Sequence, residues 1–405
     1  MKKSEIFQEL LESNFNFSGT VCIDSRLLKK GDIFFAIRKG NAYVESAIQK
    51  GCYPIYDEGE YIQGKKVDDT VAYMQKLASE YRNRLKATVI GITGSNGKTT
   101  VKDVVAYLLE NSYKTEGNHN NLIGEPLTIL NCPIEAKYLV LEMGMSAINE
   151  IDRLASIAKP DYSIITNIGD SHLEFLKTHE NVFRAKCEII PHTQKSVVVS
   201  GEDKYLKTLD MKNIIKVKLG EYKISDYGSE FIFSNIKYKT NLYGRHNALD
   251  ICLALALLKE MNEKIDKKKI ENLKITDMRF QIIEKNAKTY INDAYNAAPK
   301  SMESSLLTLN EIFKDKKKYL VLGDMLELGE NEIKYHEDLA KVLDKINYEK
   351  VYLYGPLMKH LKAKNCVYVA DKKQIKDELD KLSNIIVFLK GSRGMKLEEI
   401  IGDDD

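Results

Sequence analysis

Paired cysteines are what this chain of 405 residues most plainly lacks. Its six cysteines, Cys22, Cys52, Cys132, Cys187, Cys252 and Cys366, are widely scattered, and no two show C-x-x-C spacing. Neither a zinc knuckle nor a redox dithiol is suggested, and the pattern reads as reduced, mostly buried thiols. An excess of one charge is missing too. The 61 basic and 59 acidic residues leave a net charge of +2, which gives no argument for nucleic acid as a partner. Lys267–Lys269 and Lys316–Lys318 have acids nearby and read as solvated helix ends and loops. No apolar run approaches the length of a membrane span. Residues Met1–Ile6 lack the apolar core of a signal peptide. Solenoid repeats and low-complexity tracts are absent. A cytoplasmic protein with no membrane span is expected.

The most informative stretch that is present runs Gly91-Ile92-Thr93-Gly94-Ser95-Asn96-Gly97-Lys98-Thr99-Thr100. It follows the apolar run Ala87–Ile90 and precedes a helical pattern, Val101, Val104, Val105, Leu108 and Leu109. Strand, glycine-rich turn and helix are the context of a phosphate-binding loop. Backbone N–H groups curl around an anion there, and the helix N-terminus adds a favourable dipole. Lys98 is expected to reach the β- and γ-phosphates of a nucleotide, and the Thr99 hydroxyl to ligate Mg²⁺. The spacing is off the standard pattern. Ile92 occupies the expected glycine position, and Gly94 is the closer surrogate.

Three segments separate. Residues 1 to about 85 hold short elements ending in a helix over 69–85. Within them, Cys22–Arg26 and Gly31–Ile37 read as a turn-linked β pair. Residues 86–274 hold strands that end in polar residues: Tyr138–Leu141 before Glu142, Tyr162–Thr166 before Asn167, and Ser196–Val199 before Ser200. Strands alternating with helices indicate an α/β domain with a parallel sheet covered on both faces. Ligands collect at the C-terminal ends of such strands. Residues 275–405 repeat the logic with strands at 289–292, 319–322, 351–354, 367–370 and 385–389, a second and smaller α/β domain.

Several residues at those ends carry chemistry. Glu142 is placed like the acidic partner of a phosphate loop, able to hold Mg²⁺. An acid at a strand end is also common for no special reason, and the loop tips the balance. For His172, spacing alone favours a helix cap or a core histidine, because Mg²⁺ prefers oxygen ligands. Asp170 or Ser171 is a candidate cap for a helix beginning near Leu173. Nothing in the local sequence elevates Lys186 above an ordinary helical lysine. Asn118, Asn120 and Asn121 suit either ligand binding or turn hydrogen bonds, the second favoured without context. Asn247 reads as the N-cap of a helix over 248–259, which does not exclude a ligand role. Asp293–Asn296, Gly323–Met325 and Lys390–Arg393 each follow a strand of the third segment, where a substrate cleft is expected.

Taken together, these motifs resemble the Mur ligase family, the ATP-dependent amide-forming enzymes of peptidoglycan assembly. The likeness spans essentially the whole chain. Thr93–Thr100 resembles the family's Thr-Gly-x-Asn-Gly-Lys-Thr-Thr loop, and Lys186 its Ala-Lys-x-Glu-Ile lysine. Residues Gly117–Thr128, Asp293–Pro299, Leu322–Gly329 and His336 resemble the branch that adds D-alanyl-D-alanine. The Asp-Asn-Pro-Arg signature of the diamino-acid-adding branch is absent. Positions 294 and 298 are Ala where the branch usually reads Asp-Ser-Tyr-Asn-Ala-Asn-Pro.

The resemblance implies three α/β domains: a small UDP-sugar-binding domain over 1–85, a P-loop-type ATP-binding domain over 86–274 with a mainly parallel sheet, and a Rossmann-like domain over 275–405 that binds the incoming dipeptide. It implies a monomer acting on UDP-N-acetylmuramoyl-tripeptide and D-alanyl-D-alanine, with ATP and two Mg²⁺ ions. ATP would meet Gly94, Ser95, Asn96, Gly97, Lys98, Thr99, Thr100, Asn247, Arg279 and Asp293. The metal ligands would be Thr99, Glu142, His172 and a carbamylated Lys186. Lys98, Lys186 and His172 would form the catalytic set. Substrate contacts would come from Asp24, Ser25, Arg26, Asn120, Asn121, Asn296, Asp324, Lys390, Ser392 and Arg393. Two rivals stand beside this reading. An ATP-dependent switch or motor subunit would make no amide product. A folate polyglutamylating enzyme fits poorly with Asp24-Ser25-Arg26, which resembles the UDP-sugar module. A GTPase switch is disfavoured, because no Asn-Lys-x-Asp motif is present.

Overall fold

The structure is a computed structural model that describes residues 2–170, 173–225 and 227–402. It opens with helix Lys3–Leu11 and a four-stranded sheet of Val21–Cys22, Ile33–Phe35, Tyr53–Tyr56 and Lys65–Lys66, in that order. All its strands are parallel. The expected turn-linked pair over 22–37 is therefore a parallel pair with a looping connection. Asp32 shapes that loop: its carboxylate accepts from the backbone N–H of Thr20 and of Lys29, both at 2.7 Å. The following helix, Thr70–Arg84, is capped by Asp69, whose side chain accepts from Ala72 N–H.

The central six-stranded sheet runs Ile214–Val217, Ser196–Ser200, Tyr162–Ile165, Thr88–Thr93, Tyr138–Glu142, Ser112–Lys114. Every neighbouring pair is parallel. Its inner strands are apolar on both faces, as a sheet covered on both sides requires; Val197, Val198 and Val199 are all fully buried. Helices Lys98–Leu108 and Arg245–Glu260 cover one face. On the other face, helices Gly124–Asn131 and Glu150–Ala158 pack against Thr70–Arg84. The first segment has no large core of its own there. Phe7, Phe35, Ile55 and Tyr81 share one cluster with Leu130, Leu139 and Leu154 of the central segment. A small satellite around Phe34, Val44 and Tyr56 completes it.

A three-stranded antiparallel sheet, Tyr222–Ser225, Gly228–Phe233 and Ile236–Thr240, is not foreshadowed by the sequence reading. Phe231 and Tyr238 are buried in the core beneath, and Tyr222 and Phe233 pack partly against it. Its outer face carries Lys223, Lys237 and Lys239, all paired with Glu230.

The last sheet runs Gln281–Lys285, Lys288–Asn292, Ile385–Lys390, Lys318–Gly323, Lys350–Tyr354, Cys366–Tyr368. The five expected strands are there and parallel. The first, unexpected strand forms an antiparallel hairpin with the second. Its turn, Asn286-Ala287, has both φ values positive (52° and 54°), the requirement of a type I′ turn. Among the described residues no helix is long and apolar enough to cross a membrane.

Candidate functional site

The strand Thr88–Thr93 lies where the central sheet's connections reverse, with Tyr138–Glu142 on one side and Tyr162–Ile165 on the other. Such a switch point opens a crevice at the strand ends. The loop 94–97 crosses it and feeds helix Lys98–Leu108. Two glycines are required by what surrounds them. Gly94 has φ +148°, and a Cβ there would lie 1.8 Å from Thr166 Oγ1. Gly97 has φ +81°, and a Cβ there would lie 2.5 Å from Asp250 Oδ2.

The loop is clamped by the end of the neighbouring strand. Ser95 N–H donates to Asn167 O (2.9 Å), and Asn96 N–H to Asn167 Oδ1 (3.1 Å). Asn167 Nδ2 returns a bond to Asn96 O (2.9 Å), and Gly169 N–H donates to Ser95 Oγ (2.8 Å). Lys98 Nζ folds over the loop, donating to Gly94 O (2.8 Å) and Ser95 O (3.2 Å). Burial pushes the Lys98 ammonium below its ordinary value; Glu142 opposes the shift and Arg279 adds to it.

A cleft of about 1140 Å³ joins this loop to the strand ends of the last sheet. Of the residues singled out in the sequence, it gathers Ser95, Asn96, Gly97, Lys98, Thr99, Thr100, Asn120, Asn121, Glu142, Asn247, Arg279, Asp293, Asn296, Lys390, Ser392 and Arg393. Others stand apart. Asp24 and Arg26 form a local surface pair, and the bonds from Arg26 hold the Asp24 carboxyl down to about 2. With Ser25 they lie outside the cleft lining. Gly94 forms the loop behind the lining. The Asp324 carboxylate is buried and accepts from the N–H groups of Leu357 (3.2 Å) and Met358 (2.8 Å), which turns it away from the cleft. His172 and Ser171 lie outside the described residues.

Several local expectations change. Asn247 is not an N-cap: helix Arg245–Glu260 starts earlier, after Gly244 at φ +96°. Asn247 sits in the first turn, its Nδ2 bonded to Tyr243 O (2.7 Å). Asp170 Oδ1 lies 2.7 Å from His179 Nε2, and the cap expected of Asp170 or Ser171 adjoins residues outside the described ones. Ala298 precedes helix Pro299–Ile312, and Ser301 Oγ satisfies both its N–H and its carbonyl, each at 2.9 Å.

Glu142 is the feature most telling of a cation. It is 3 % exposed, at the end of its strand. Oε1 accepts from Asn120 Nδ2 at 2.8 Å, whereas Oε2 is buried without any hydrogen bond. A buried carboxylate oxygen without a donor is costly, and Lys102 Nζ, 4.0 Å away, offsets its charge without bonding it. With the Thr99 hydroxyl also lining the cleft, the donor set is all oxygen and suits Mg²⁺.

Lys186, on helix His179–Cys187, is 1 % exposed. Burial, with Lys98 contributing, pushes its ammonium well below the ordinary lysine range, so the amine is biased to the neutral form. Among the described residues no hydrogen bond or ion pair reaches it.

Some participants carried no local signal. Asn167 clamps the loop through contacts some 70 residues apart in sequence. His246, opposite Ser304 at 2.8 Å, bridges the two sheets' helices, and burial pushes it down to about 4. Asp250 sits against Gly97, its carboxyl raised well above the ordinary range by burial.

A clamped phosphate loop and a buried carboxylate at its side, in one cleft with the strand ends of a second α/β sheet, are the arrangement of a nucleotide-dependent enzyme. Family models agree. The Mur ligase middle domain matches residues 92–258, and the Mur ligase glutamate ligase domain matches residues 278–393. The UDP-N-acetylmuramoyl-tripeptide–D-alanyl-D-alanine ligase of Bacillus subtilis (strain 168) is 34% identical, over 95% of this chain and 92% of its own length. That of Rickettsia prowazekii (strain Madrid E) is 29% identical, over 94% of each. The crystal structure of MurF ligase from Thermotoga maritima in complex with ADP has a TM-score of 0.86 at 28% identity, covering 95% and 96% of the two chains. A MurF structure from Acinetobacter baumannii shares the fold, with a TM-score of 0.89 at 24% identity over 99% and 98%. The chain belongs to the Mur ligase family.

Proposed function

We propose that this enzyme joins D-alanyl-D-alanine to UDP-N-acetylmuramoyl-tripeptide, forming an amide at the expense of ATP. The observation that carries the reading is the single cleft. It holds the phosphate loop, the orphaned Glu142 oxygen and the strand ends of the last sheet within one volume. The names of the relatives support the choice of substrates, and the ADP in the Thermotoga maritima structure supports a nucleotide at the loop.

In this reading the tripeptide's terminal carboxylate attacks the γ-phosphate, giving an acyl phosphate and ADP. The dipeptide amine then attacks the acyl carbon, loses a proton, and phosphate leaves. Two anions meet in the first step, so their repulsion must be neutralised. Lys98 leaves its carbonyl partners to bind the β- and γ-phosphates, while the free N–H groups at the start of its helix face the same anion. Glu142 and Thr99 would hold one Mg²⁺, which would supply charge neutralisation when bound. Asn120 fixes the Glu142 carboxylate through Oε1. Lys186 is suited to capture CO₂ as a carbamate, because a neutral buried amine is the nucleophile that reaction needs. The N–C bond forms as the amine gives up one proton, and the product places an anionic oxygen pair where a neutral amine stood; with His172 it would hold a second ion. Asn247, Arg279 and Asp293 are read as nucleotide contacts. Asn121, Asn296, Ser392 and Arg393 are read as substrate contacts in the cleft. Asp24, Ser25 and Arg26 are assigned to the UDP-sugar. Residues 1–85, 86–274 and 275–405 then act as the sugar-nucleotide, ATP and dipeptide domains. Closure over the acyl phosphate excludes water.

The test is phosphate release. UDP-muramoyl-tripeptide with D-alanyl-D-alanine should support turnover, and UDP-muramoyl-dipeptide with single amino acids should not. Turnover confined to the second set refutes the assignment.

A further inference from the structure

The link between the central and last sheets passes through residues 274–280, and one buried carboxylate holds it. Asp103, on the phosphate-loop helix, is 1 % exposed. Its Oδ2 accepts from both the N–H (2.8 Å) and the hydroxyl (2.6 Å) of Thr276. Its Oδ1 takes Lys114 Nζ at 2.8 Å and lies 3.3 Å from Lys102 Nζ. Burial pushes the Asp103 carboxyl up, but the two lysines and Thr276 outweigh it and hold the group below its ordinary value. Lys102 is itself buried and reaches Glu142 Oε2 at 4.0 Å. One chain of charges therefore runs from the cation site to the link.

Beyond Thr276 the backbone is strained. Met278 (φ 63°) and Phe280 (φ 56°) are bulky residues in the left-handed region, flanking Arg279. Each is held by the surrounding structure. Gln281 Oε1 accepts from Met278 N–H (3.1 Å), and Asp293 Oδ1 from Phe280 N–H (3.1 Å). The result is to turn Arg279 into the cleft, its guanidinium 4.3 Å from the centroid of the Tyr295 ring, with Nε buried and without a hydrogen bond. Strain of this kind persists only where anchors over-determine it. Asp103–Thr276 is the anchor on the central side, and the other two lie on the last sheet.

We propose that Asp103 and Thr276 are positioning residues: by pinning the link to the phosphate-loop helix, they hold Arg279 in the conformation that meets the nucleotide. Neither residue touches the nucleotide; both act through Arg279. The inference rests on the reading of the cleft as an ATP site.

The discriminating experiment is a binding cycle on the full chain with a non-hydrolysable ATP analogue and Mg²⁺, read by calorimetry. Thr276→Val keeps the shape and the backbone bond and removes only the hydroxyl; Thr276→Ser keeps the hydroxyl. T276V should weaken binding about fivefold, as expected for contacting residues that couple, and T276S should bind as the parent does. In an Arg279→Ala background T276V should have no further effect, because its route is already cut. An unchanged dissociation constant for T276V, or an undiminished loss in the R279A background, overturns the proposal. Should T276V not fold, Asp103→Asn, which keeps one acceptor oxygen, is read in the same cycle. If the parent protein binds no analogue at all, the ATP reading fails instead, so the two failures are distinct.

Discussion

Lys102 Nζ and Glu142 Oε2 lie 4.0 Å apart, both side chains almost wholly buried, with no hydrogen bond to that oxygen. Lys102 is satisfied elsewhere, by Thr115 O at 3.0 Å and by Asp103. It therefore screens Glu142 without occupying the oxygen. Glu142→Gln keeps the volume and the Asn120 contact and removes the charge. The half-saturating Mg²⁺ concentration for phosphate release should rise by at least about tenfold, with the melting temperature little changed. An unaltered Mg²⁺ dependence would falsify the assignment of Glu142 as a metal ligand.

Lys186 makes a prediction in which stability and activity move in opposite directions. Its folded-state value is depressed, so over the range between that value and the ordinary lysine value the unfolded chain binds a proton that the native chain does not. Stability then rises with pH across that window, and the lysine is a burden at neutral pH. Lys186→Met should raise the melting temperature at pH 7, with a smaller gain at pH 10, while activity falls at least about 100-fold. Removing CO₂ from the parent enzyme should depress turnover, and added bicarbonate should restore it. Bicarbonate-independent turnover argues against carbamylation.

How far the sequence anticipated this site depends on how local each signal is. The phosphate loop was legible because glycine, lysine and threonine stand side by side, and their conformational needs are met within a few residues. The five parallel strands of the last sheet were legible as apolar runs. The three-stranded sheet 222–240 was not, because its outward lysines dilute any alternation and just two of its apolar side chains, Phe231 and Tyr238, are buried in the core. The parallel pairing of Val21–Cys22 with Ile33–Phe35 turns on Asp32, a loop residue without a motif. Asn167 and Thr276 gain their roles from partners roughly 70 and 170 positions away. Asp324 was placed at the correct strand end, yet its carboxylate turns to Leu357 and Met358, a choice fixed only by the next loop.

Glu125 offers a second pH signature. It is fully buried in helix Gly124–Asn131, both its oxygens are without partners, and burial raises its carboxyl well above the ordinary range. Between the ordinary and the folded values the native state keeps a proton that the unfolded state releases. Stability is therefore highest below that window and is lost as pH climbs through it. Glu125→Gln, which cannot ionise, should raise the melting temperature more at pH 8 than at pH 5. Equal shifts at the two pH values would show that Glu125 is ionised in the native protein.

The pair Lys390–Asp293 separates holding the sheet from touching substrate. Lys390 Nζ lies 2.6 Å from Asp293 Oδ2, both residues are buried, and Ser305 Oγ donates to the same oxygen at 2.6 Å. Arg393 is exposed and pairs with Glu398 at the surface. Removing one partner of a buried pair strands the other, at a cost of about 3–5 kcal/mol, whereas an exposed pair contributes at most about 1 kcal/mol. Lys390→Met should therefore lower both stability and turnover, and Arg393→Met should lower turnover with a nearly unchanged denaturation midpoint. If K390M unfolds at the parent's midpoint yet loses activity, Lys390 belongs with the substrate contacts and the ion pair is dispensable to the fold.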